Sequence, residues 1–156
     1  MKLLVGVDLS ESTQQVVQTV ERFASALSAQ VWLLHVASSD PADFYIATYE
    51  PDAIGYEVDP QTLRDSRAKR FRMEHREIQE IADRLRKAGV AATALLVQGE
   101  TVESLLKEAS KLEVDMIVVG SHGHGAVYRL LVGSVSEGIL RKSRCPVLVV
   151  PTHDLA

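Results

Sequence analysis

Residues 118–138, VVGSHGHGAVYRLLVGSVSEG, place five glycines and an SVSE tetrapeptide directly after a hydrophobic segment. The glycines are Gly120, Gly123, Gly125, Gly133 and Gly138. A glycine at the end of a strand serves either a turn that needs a positive φ or a ligand that approaches the backbone closely. The segments before and after this stretch decide between these two uses, and they also define the fold.

The composition favours one soluble domain without a general affinity for polyanions. With 156 residues, the chain can bury roughly 70% of the surface that its unfolded form exposes. Its formal net charge of −4 disfavours electrostatic binding to nucleic acid or to an anionic membrane. The single cysteine suits a reducing compartment, and no segment has the length of a membrane span or the pattern of a signal peptide. We therefore expect a cytoplasmic protein without membrane insertion or nucleic-acid binding.

Short apolar segments alternate with segments of helical periodicity. The predicted strands are 2–8, 30–36, 90–97, 115–120 and 146–151. Most of them lack the alternation of a half-solvated strand, which favours a parallel sheet covered on both faces. The predicted helices carry apolar stripes at Val16, Val20, Phe23 and Leu27, at Phe71, Ile78, Ile81, Leu85 and Ala88, at Val102, Leu105, Leu106, Ala109 and Leu112, and, from a start at Ser134, at Ile139 and Leu140. This order predicts an α/β fold, a single-domain, open, doubly wound parallel five-stranded sheet with helices on both faces.

The ends of the predicted helices are marked by capping residues. Ser12 with Gln15, and Ser134 with Glu137, have the spacing of a capping box. Gly89 suits the position just after a helix, where a left-handed residue is common.

One segment, 38–61, interrupts the alternation. It contains three prolines, six acidic residues and no basic residue, which is typical of a long loop that is either functional or disordered. A basic stretch follows at 64–76. We interpret it as a solvated helix face, because the aromatic residues of a nucleic-acid site are limited there to Phe71.

The glycine stretch is interpreted from its position in this sheet. Ligands of open parallel sheets bind beyond the carboxyl ends of the strands, where the strand order reverses. Asp8 ends the first predicted strand and Gly120 the fourth, so both face one crevice if those strands are neighbours. Gly133 and Ser134 open the last helix, where unpaired N–H groups and the helix dipole favour an anion. The sequence thus predicts a phosphate cradle; the alternative is that the glycines only shape turns and Ser134 only caps a helix.

Other ligand motifs do not fit the spacing. A Walker A loop needs a lysine after its last glycine, but Ser134 follows Gly133. A dinucleotide fingerprint should follow the first strand, where this chain has DLSES. His122 and His124 are two residues apart, but no acidic or cysteine companion lies near them in the sequence. We interpret them as exposed loop histidines and predict no metal site built from protein side chains.

The spacing Gly120, Gly123, Gly133, Ser134 resembles the nucleotide-binding signature of the universal stress protein family, in its ATP-binding branch. VGVDLSE near the start, LLHV in the second strand and GSVSEGILRKSRCPVLVVP near the end extend the resemblance over nearly the whole chain, 1–156. The resemblance implies that the ligand is ATP.

The same resemblance implies a role for each matching residue. Asp8 and Gly120 would hold the ribose, and Val7, Leu9 and Val36 would line the adenine pocket. The phosphates would be held by main-chain N–H groups and hydroxyls of Gly123, Gly133, Ser134, Val135 and Ser136. Ser121 is assigned to the same nucleotide site. Many relatives have a glycine where this chain has Leu9, so Leu9 is expected to narrow the adenine pocket. The charge of Glu137 near the phosphates favours Mg²⁺ or Mn²⁺ bound through the nucleotide oxygens.

Three functions are compatible with such a site. The favoured one is an ATP-binding regulatory protein of the stress response, a nucleotide-dependent switch or a module for an unidentified protein partner. The second is a slow ATPase or nucleotidyl-transfer enzyme; no clear base, nucleophile or catalytic lysine lies beside the cradle, so hydrolysis is expected to be slow. The third is a protein-binding scaffold without nucleotide.

The last strand is expected to form a homodimer. Its apolar residues are Val147, Leu148, Val149 and Val150. If this strand ends the sheet, pairing with a second copy would cover an edge that otherwise promotes aggregation. The family resemblance implies the same assembly.

Overall fold

Strands and helices alternate in the computed structural model, which describes residues 1–38, 60–121 and 133–152. The elements are β1 (Lys2–Gly6), α1 (Thr13–Leu27), β2 (Gln30–Ala37), α2 (Pro60–Lys87), β3 (Ala91–Gln98), α3 (Thr101–Leu112), β4 (Met116–Gly120), α4 (Ser134–Lys142) and β5 (Val147–Val150). The predicted alternation of strands and helices is confirmed. The loop predicted over 38–61 is two residues too long at its end, because α2 begins at Pro60, and proline is well tolerated in a first helical turn. The rest of that prediction, 39–59, lies outside the described residues.

The sheet is parallel throughout, with the strand order β3-β2-β1-β4-β5. The central strand β1 pairs with β2 on one side and with β4 on the other, so that Val5 is aligned with both Leu33 and Val118. The chain moves outward from β1 to β3, then returns to the other side of β1 as β4 and β5. The doubly wound fold is therefore confirmed, and the strand order reverses between β1 and β4.

Each face of the sheet carries its own apolar layer. Under α1 and α2 the layer includes Val5, Val20, Leu33, Ile78 and Leu85. Under α3 and α4 it includes Leu4, Leu34, Leu105, Ile117 and Ile139. Successive residues of a strand point to opposite faces, and the neighbours Leu4 and Val5 are both fully buried. Burial on both faces explains why the strands are apolar at nearly every position.

The apolar stripe predicted for α1 is wrong in its second half. Phe23 and Leu27 are 48% and 49% exposed, whereas Val17 and Ala24 lie in the buried face. Residues three and four positions after Val20 lie on either side of the same helical stripe, and the small Ala24 fits against the sheet where the ring of Phe23 does not. Ala88 and Leu140 are likewise exposed, contrary to the predicted stripes.

The predicted end of α2 is confirmed. Gly89 has a φ of 87°, and the N–H of Val90 donates to the carbonyl of Leu85 at 3.0 Å. This is the Schellman arrangement that glycine favours after a helix. Helices α1 and α3 end in the same left-handed conformation on Ser28 and Glu113, with φ of 47° and 51°.

Both predicted capping boxes are wrong. Ser12 has helical dihedral angles and makes no side-chain bond to its helix; its hydroxyl lies 2.6 Å from that of Ser10. The capping box needs Ser134 at the N-cap position of α4, but Gly133 is the N-cap and Ser134 is already the first helical residue. The carboxylate of Glu137 accepts a hydrogen bond from Arg141 at 2.6 Å and is turned away from the start of the helix.

Helix α3 is capped by a residue that the sequence did not single out. The carboxylate of Glu100 accepts hydrogen bonds from the N–H groups of Glu103 at 2.7 Å and Val102 at 3.1 Å. These two bonds lower the pKa of the Glu100 carboxyl, because they stabilise its charged form.

Candidate functional site

A pocket of about 400 Å³ lies at the carboxyl end of the sheet, where the strand order reverses. This volume is within the range of small-molecule sites, about 300–1,000 Å³. The described residues that line it are Gly6, Val7, Asp8, Ser12, Thr13, Val16, Leu34, His35, Val36, Thr101, Leu105, Val119, Gly120, Gly133, Ser134, Val135 and Ser136. Asp8 and Gly120 thus share one pocket, as expected for neighbouring first and fourth strands.

The pocket collects the starts of three helices. Thr13 begins α1, Thr101 begins α3, and Ser134 begins α4, and all three residues line it. The N–H groups of a first helical turn have no acceptor within the helix, and the helix dipole makes this end positive. At α3, however, the N–H groups of Val102 and Glu103 already donate to the Glu100 carboxylate, and at α1 those of Thr13 and Gln14 donate to backbone carbonyls. The start of α4, where glycine holds the capping position, is therefore the one of these three that suits an anion.

Helix α4 is fixed to the end of β4 by two hydrogen bonds. The buried hydroxyl of Ser136 donates to the carbonyl of Gly120 at 2.5 Å, and the N–H of Gly133 donates to the carbonyl of Ser121 at 2.7 Å. A hydroxyl has only one hydrogen to donate. At Ser136 the main-chain N–H, and not the hydroxyl, is therefore the donor that α4 can present to a ligand.

Gly133 does not owe its place to an unusual backbone conformation. Its φ is −60° and its ψ is 155°, which any residue can adopt. Of the two uses of glycine considered from the sequence, a positive φ does not apply here. The geometry is compatible with a backbone that a ligand can approach closely and with the capping position itself, where glycine is among the favoured residues.

Asp8 is held at the pocket by the turn that follows β1. Its Oδ1 accepts hydrogen bonds from the N–H of Ser10 at 3.1 Å, from the hydroxyl of Ser10 at 2.7 Å and from the hydroxyl of Thr13 at 3.1 Å. These bonds fix the carboxylate at the start of α1. An ionised carboxylate only accepts hydrogen bonds, so Asp8 suits a ligand that carries hydroxyl donors.

Two predicted site residues are not among the described residues that line the pocket. Leu9 has a φ of 58°, and its side chain packs against the apolar layer under α1 and α2; a narrowing of the adenine pocket by Leu9 stays a prediction. The hydroxyl of Ser121 accepts a hydrogen bond from the N–H of Thr152 at 3.0 Å. The predicted Gly123, together with His122 and His124, lies outside the described residues.

His35 lines the pocket and was missed by the sequence analysis. It is 8% exposed, and its Nδ1 lies 2.9 Å from the carbonyl oxygen of Val7. Its Nε2 lies 3.7 Å from the Glu74 carboxylate of α2. The signal in the sequence is a single ionisable residue within the apolar strand QVWLLHVA, directly before the predicted Val36.

The part of the chain that the structure describes contains no group of three or more His, Cys, Asp or Glu side chains placed to hold a metal ion. Nor does any helix within these residues combine the length and the apolar character of a membrane span.

The protein is an α/β protein of the open, doubly wound class, with its pocket at the point where the strand order reverses. Residues 1–151 match the Universal stress protein family, and the chain belongs to that family. The predicted family resemblance is confirmed.

Two relatives match nearly the whole chain. Universal stress protein YxiE of Bacillus subtilis is 29% identical over 96% of this chain and 97% of its own. Universal stress protein MJ0577 of Methanocaldococcus jannaschii is 28% identical over 96% of this chain and 93% of its own. The solved structure of MJ0577 superposes with a TM-score of 0.78, at 26% identity over 98% of this chain and 96% of that one.

Two further solved structures of the same fold contain a nucleotide. One is a universal stress protein in complex with cAMP, with a TM-score of 0.64, 23% identity and 98% of both chains covered. The other is the Arabidopsis thaliana family protein At3g01520 with AMP bound, with a TM-score of 0.63, 20% identity and 97% and 91% of the two chains covered.

Proposed function

We propose that this protein binds ATP in the pocket between Asp8 and Gly120 and acts as a nucleotide-dependent regulatory protein of the stress response. The observation that carries the proposal is the start of α4, where Gly133 and the first three helical residues, 134–136, all line the pocket. Family membership and the complexes of two relatives with cAMP and AMP support it.

The chemistry of the lining residues suits the parts of a nucleotide. The N–H groups of Ser134, Val135 and Ser136 would hold phosphate oxygens, as the first turn of a helix does in other phosphate sites. The Asp8 carboxylate would accept hydrogen bonds from the ribose hydroxyls, and Val7 and Val36 would contact the base. Gly123 is assigned to the same site. Mg²⁺ or Mn²⁺ would be bound mainly through the phosphates, with few ligands from the protein.

We favour a binding role over fast catalysis. Phosphoryl transfer depends on cationic groups that stabilise charge and on a residue that orients the nucleophile. The described residues that line the pocket include no lysine or arginine. A slow ATPase or nucleotidyl-transfer activity is the second candidate, and a scaffold without nucleotide is the third. Phosphate release of many turnovers per second under saturating Mg-ATP would overturn the preference for a regulatory role.

We also propose a homodimer formed through β5. A further protein partner would bind the nucleotide-bound and nucleotide-free forms with different affinity. β5 is at one edge of the sheet, and Val147, Leu148 and Val149 remain partly exposed. The opposite edge differs, because the Arg86 guanidinium donates a hydrogen bond to the carbonyl of Ala92 in β3 at 2.6 Å. A side chain that occupies an edge carbonyl hinders strand pairing there. A strictly monomeric protein at high concentration in light scattering would contradict the dimer.

The test of nucleotide binding is Gly133→Val, compared with the wild type by calorimetry with ATP and with Mg-ATP. A branched side chain at the start of α4 would fill the space that the phosphates need, so we expect at least a tenfold loss of affinity, about 1.4 kcal/mol. Ala91→Val is the control, because it introduces the same branched side chain at an exposed position of β3 at the other end of the sheet. Equal ATP affinity of two folded proteins, wild type and Gly133→Val, would remove Gly133 from the site.

A further inference from the structure

His35 occupies a position at which both of its ring nitrogens face hydrogen-bond acceptors. The carbonyl of Val7 can only accept, so the Nδ1 that lies 2.9 Å from it carries a hydrogen. The Nε2 faces the Glu74 carboxylate at 3.7 Å. A neutral imidazole would direct its Nε2 lone pair at that anion, whereas the protonated ring forms an ion pair with it. The ion pair with Glu74 therefore exists only with the protonated ring.

The charged groups that face this ring come from two elements. On α2, Glu74 is 14% exposed in its side chain and also accepts a hydrogen bond from Arg70 at 2.8 Å. After β1, Asp8 lines the same pocket. Among the described residues, β3 pairs with His35 through Leu96, and α1 and α3 bring Thr13, Thr101 and Leu105 to the pocket, all of which are uncharged.

His35 is also the one residue able to become a cation among the described residues that line the pocket. The imidazole changes its charge between about pH 5 and pH 8. Its protonation would thus add one cationic side chain to the described lining, which already contains the carboxylate of Asp8.

We propose that His35 is a proton-dependent determinant of ligand affinity in this pocket: its protonated ring, held between Val7 and Glu74, strengthens the binding of an anionic nucleotide. The inference rests on the proposed nucleotide site and names a regulation of it. Because binding equilibria are reciprocal, the nucleotide draws a proton onto His35 to the same extent that the proton favours the nucleotide. The protein then binds nucleotide more tightly as the pH falls through the range in which His35 gains its proton.

The experiment measures ATP affinity by calorimetry from about pH 6 to about pH 8.5, each time in two phosphate-free buffers of different ionisation enthalpy. The enthalpy difference between the buffers gives the number of protons taken up with the nucleotide. For the wild type we expect an affinity about fivefold higher at the acidic end, near the lower limit of typical coupling factors. We also expect net proton uptake near the middle of the range.

Two variants and one control assign this dependence to His35. His35→Gln stays neutral and should lose the protein's share of the proton uptake, leaving only that of ATP itself. Glu74→Gln removes the carboxylate that pairs with the protonated ring, so the affinity should rise less toward the acidic end of the range than it does in the wild type. His75→Gln is the control, because His75 is an exposed histidine on the same helix, next to Glu74; it should behave as the wild type.

The outcomes separate this inference from the proposed function. ATP binding with the same pH dependence in wild type and His35→Gln would overturn the role of His35 and leave nucleotide binding intact. An absence of ATP binding by folded wild type at every pH would overturn both. If His35→Gln does not fold, the Glu74→Gln variant provides the test. A rise in affinity toward acidic pH as large as that of the wild type would contradict the proposal, because the pairing of the ring with Glu74 would then have no effect on binding.

Discussion

Gly138 in α4 is closely packed against α3, and the effect of a single added methyl group there can be predicted. A Cβ atom at residue 138 would lie 2.8 Å from Cγ2 and 3.3 Å from Cγ1 of Val102. Val102 is 9% exposed, and its β-branched side chain has one strongly preferred rotamer in a helix. It therefore cannot turn aside, and the two helices must move apart to accept the methyl group.

The sign of Gly138→Ala follows from two opposing contributions. In an unhindered helix interior, alanine is more favourable than glycine by about 1 kcal/mol. Overpacking a well-filled contact costs about 1–3 kcal/mol, and a contact of 2.8 Å with a rigid side chain belongs in the middle of that range. We expect Gly138→Ala to lower the free energy of unfolding by about 1 kcal/mol.

A double-mutant cycle with Val102→Ala tests this reasoning. Without the valine methyl groups the alanine meets no obstacle, so in that background Gly138→Ala should stabilise the protein by about 1 kcal/mol. The coupling between the two sites is then about 2 kcal/mol, within the range found for residues in contact. Urea unfolding followed by circular dichroism measures all four proteins. Equal effects of Gly138→Ala in both backgrounds would show that Val102 is not what favours glycine.

Three further predictions concern single residues outside this contact. Glu100→Gln should weaken the cap of α3. The pKa of Glu100 is lower in the folded protein than in the unfolded chain, where it is about 4. The carboxylate cap therefore stabilises the folded protein fully above that unfolded pKa, and this stabilisation is lost as the pH falls through the pKa of the folded protein. The stability difference between wild type and Glu100→Gln should therefore shrink on acidification, and a difference that grows would contradict the cap. Leu9→Gly should be more stable than Leu9→Ala by about 1 kcal/mol in thermal unfolding, since both lose the leucine but only glycine adopts a φ of 58° without strain; the reverse order would contradict the left-handed turn. Arg86→Ala frees the Ala92 carbonyl at the β3 edge and should increase self-association in light scattering, whereas Lys87→Ala, its exposed neighbour, should not; equal behaviour of the two would argue against protection of that edge.

The fold could be predicted from the sequence because strands that are buried on both faces are apolar at nearly every position. MIVVG and KLLVG are apolar because each of their central residues is covered by a helix layer on one side or the other. The position of the pocket follows from the same pattern, since the ends of two such strands carry Asp8 and Gly120. The helix stripes could be predicted only in part, because Phe23 and Ala24 are both compatible with a helical period, and the space between α1 and the sheet accepts only the smaller alanine.

The ends of helices and the roles of polar side chains depended on three-dimensional partners that the sequence does not show. Ser28 and Glu113 adopt left-handed conformations without the glycine that usually marks them. Ser136 was expected to offer its hydroxyl to a phosphate, but the carbonyl of Gly120, 16 residues earlier, accepts that hydrogen. His35 could not be recognised as a paired residue, because Glu74 is 39 positions away in the chain and is brought to it by the crossover through α2.

The length of α2 divides this helix into two regions of different stability. Its fully buried residues are Ile78, Ile81, Ala82 and Leu85, while the 14 residues before Glu74 extend over about 21 Å without one. That first half is held mainly by its own hydrogen bonds and i,i+4 pairs, so its amide hydrogens should exchange with solvent whenever the helix opens locally. The amide hydrogens of the second half should exchange only when the sheet beneath them also opens. The boundary between the two regimes lies at the residue that contacts His35. A change in the charge of that histidine would therefore alter how far helix opening, starting from Pro60, advances toward the nucleotide pocket.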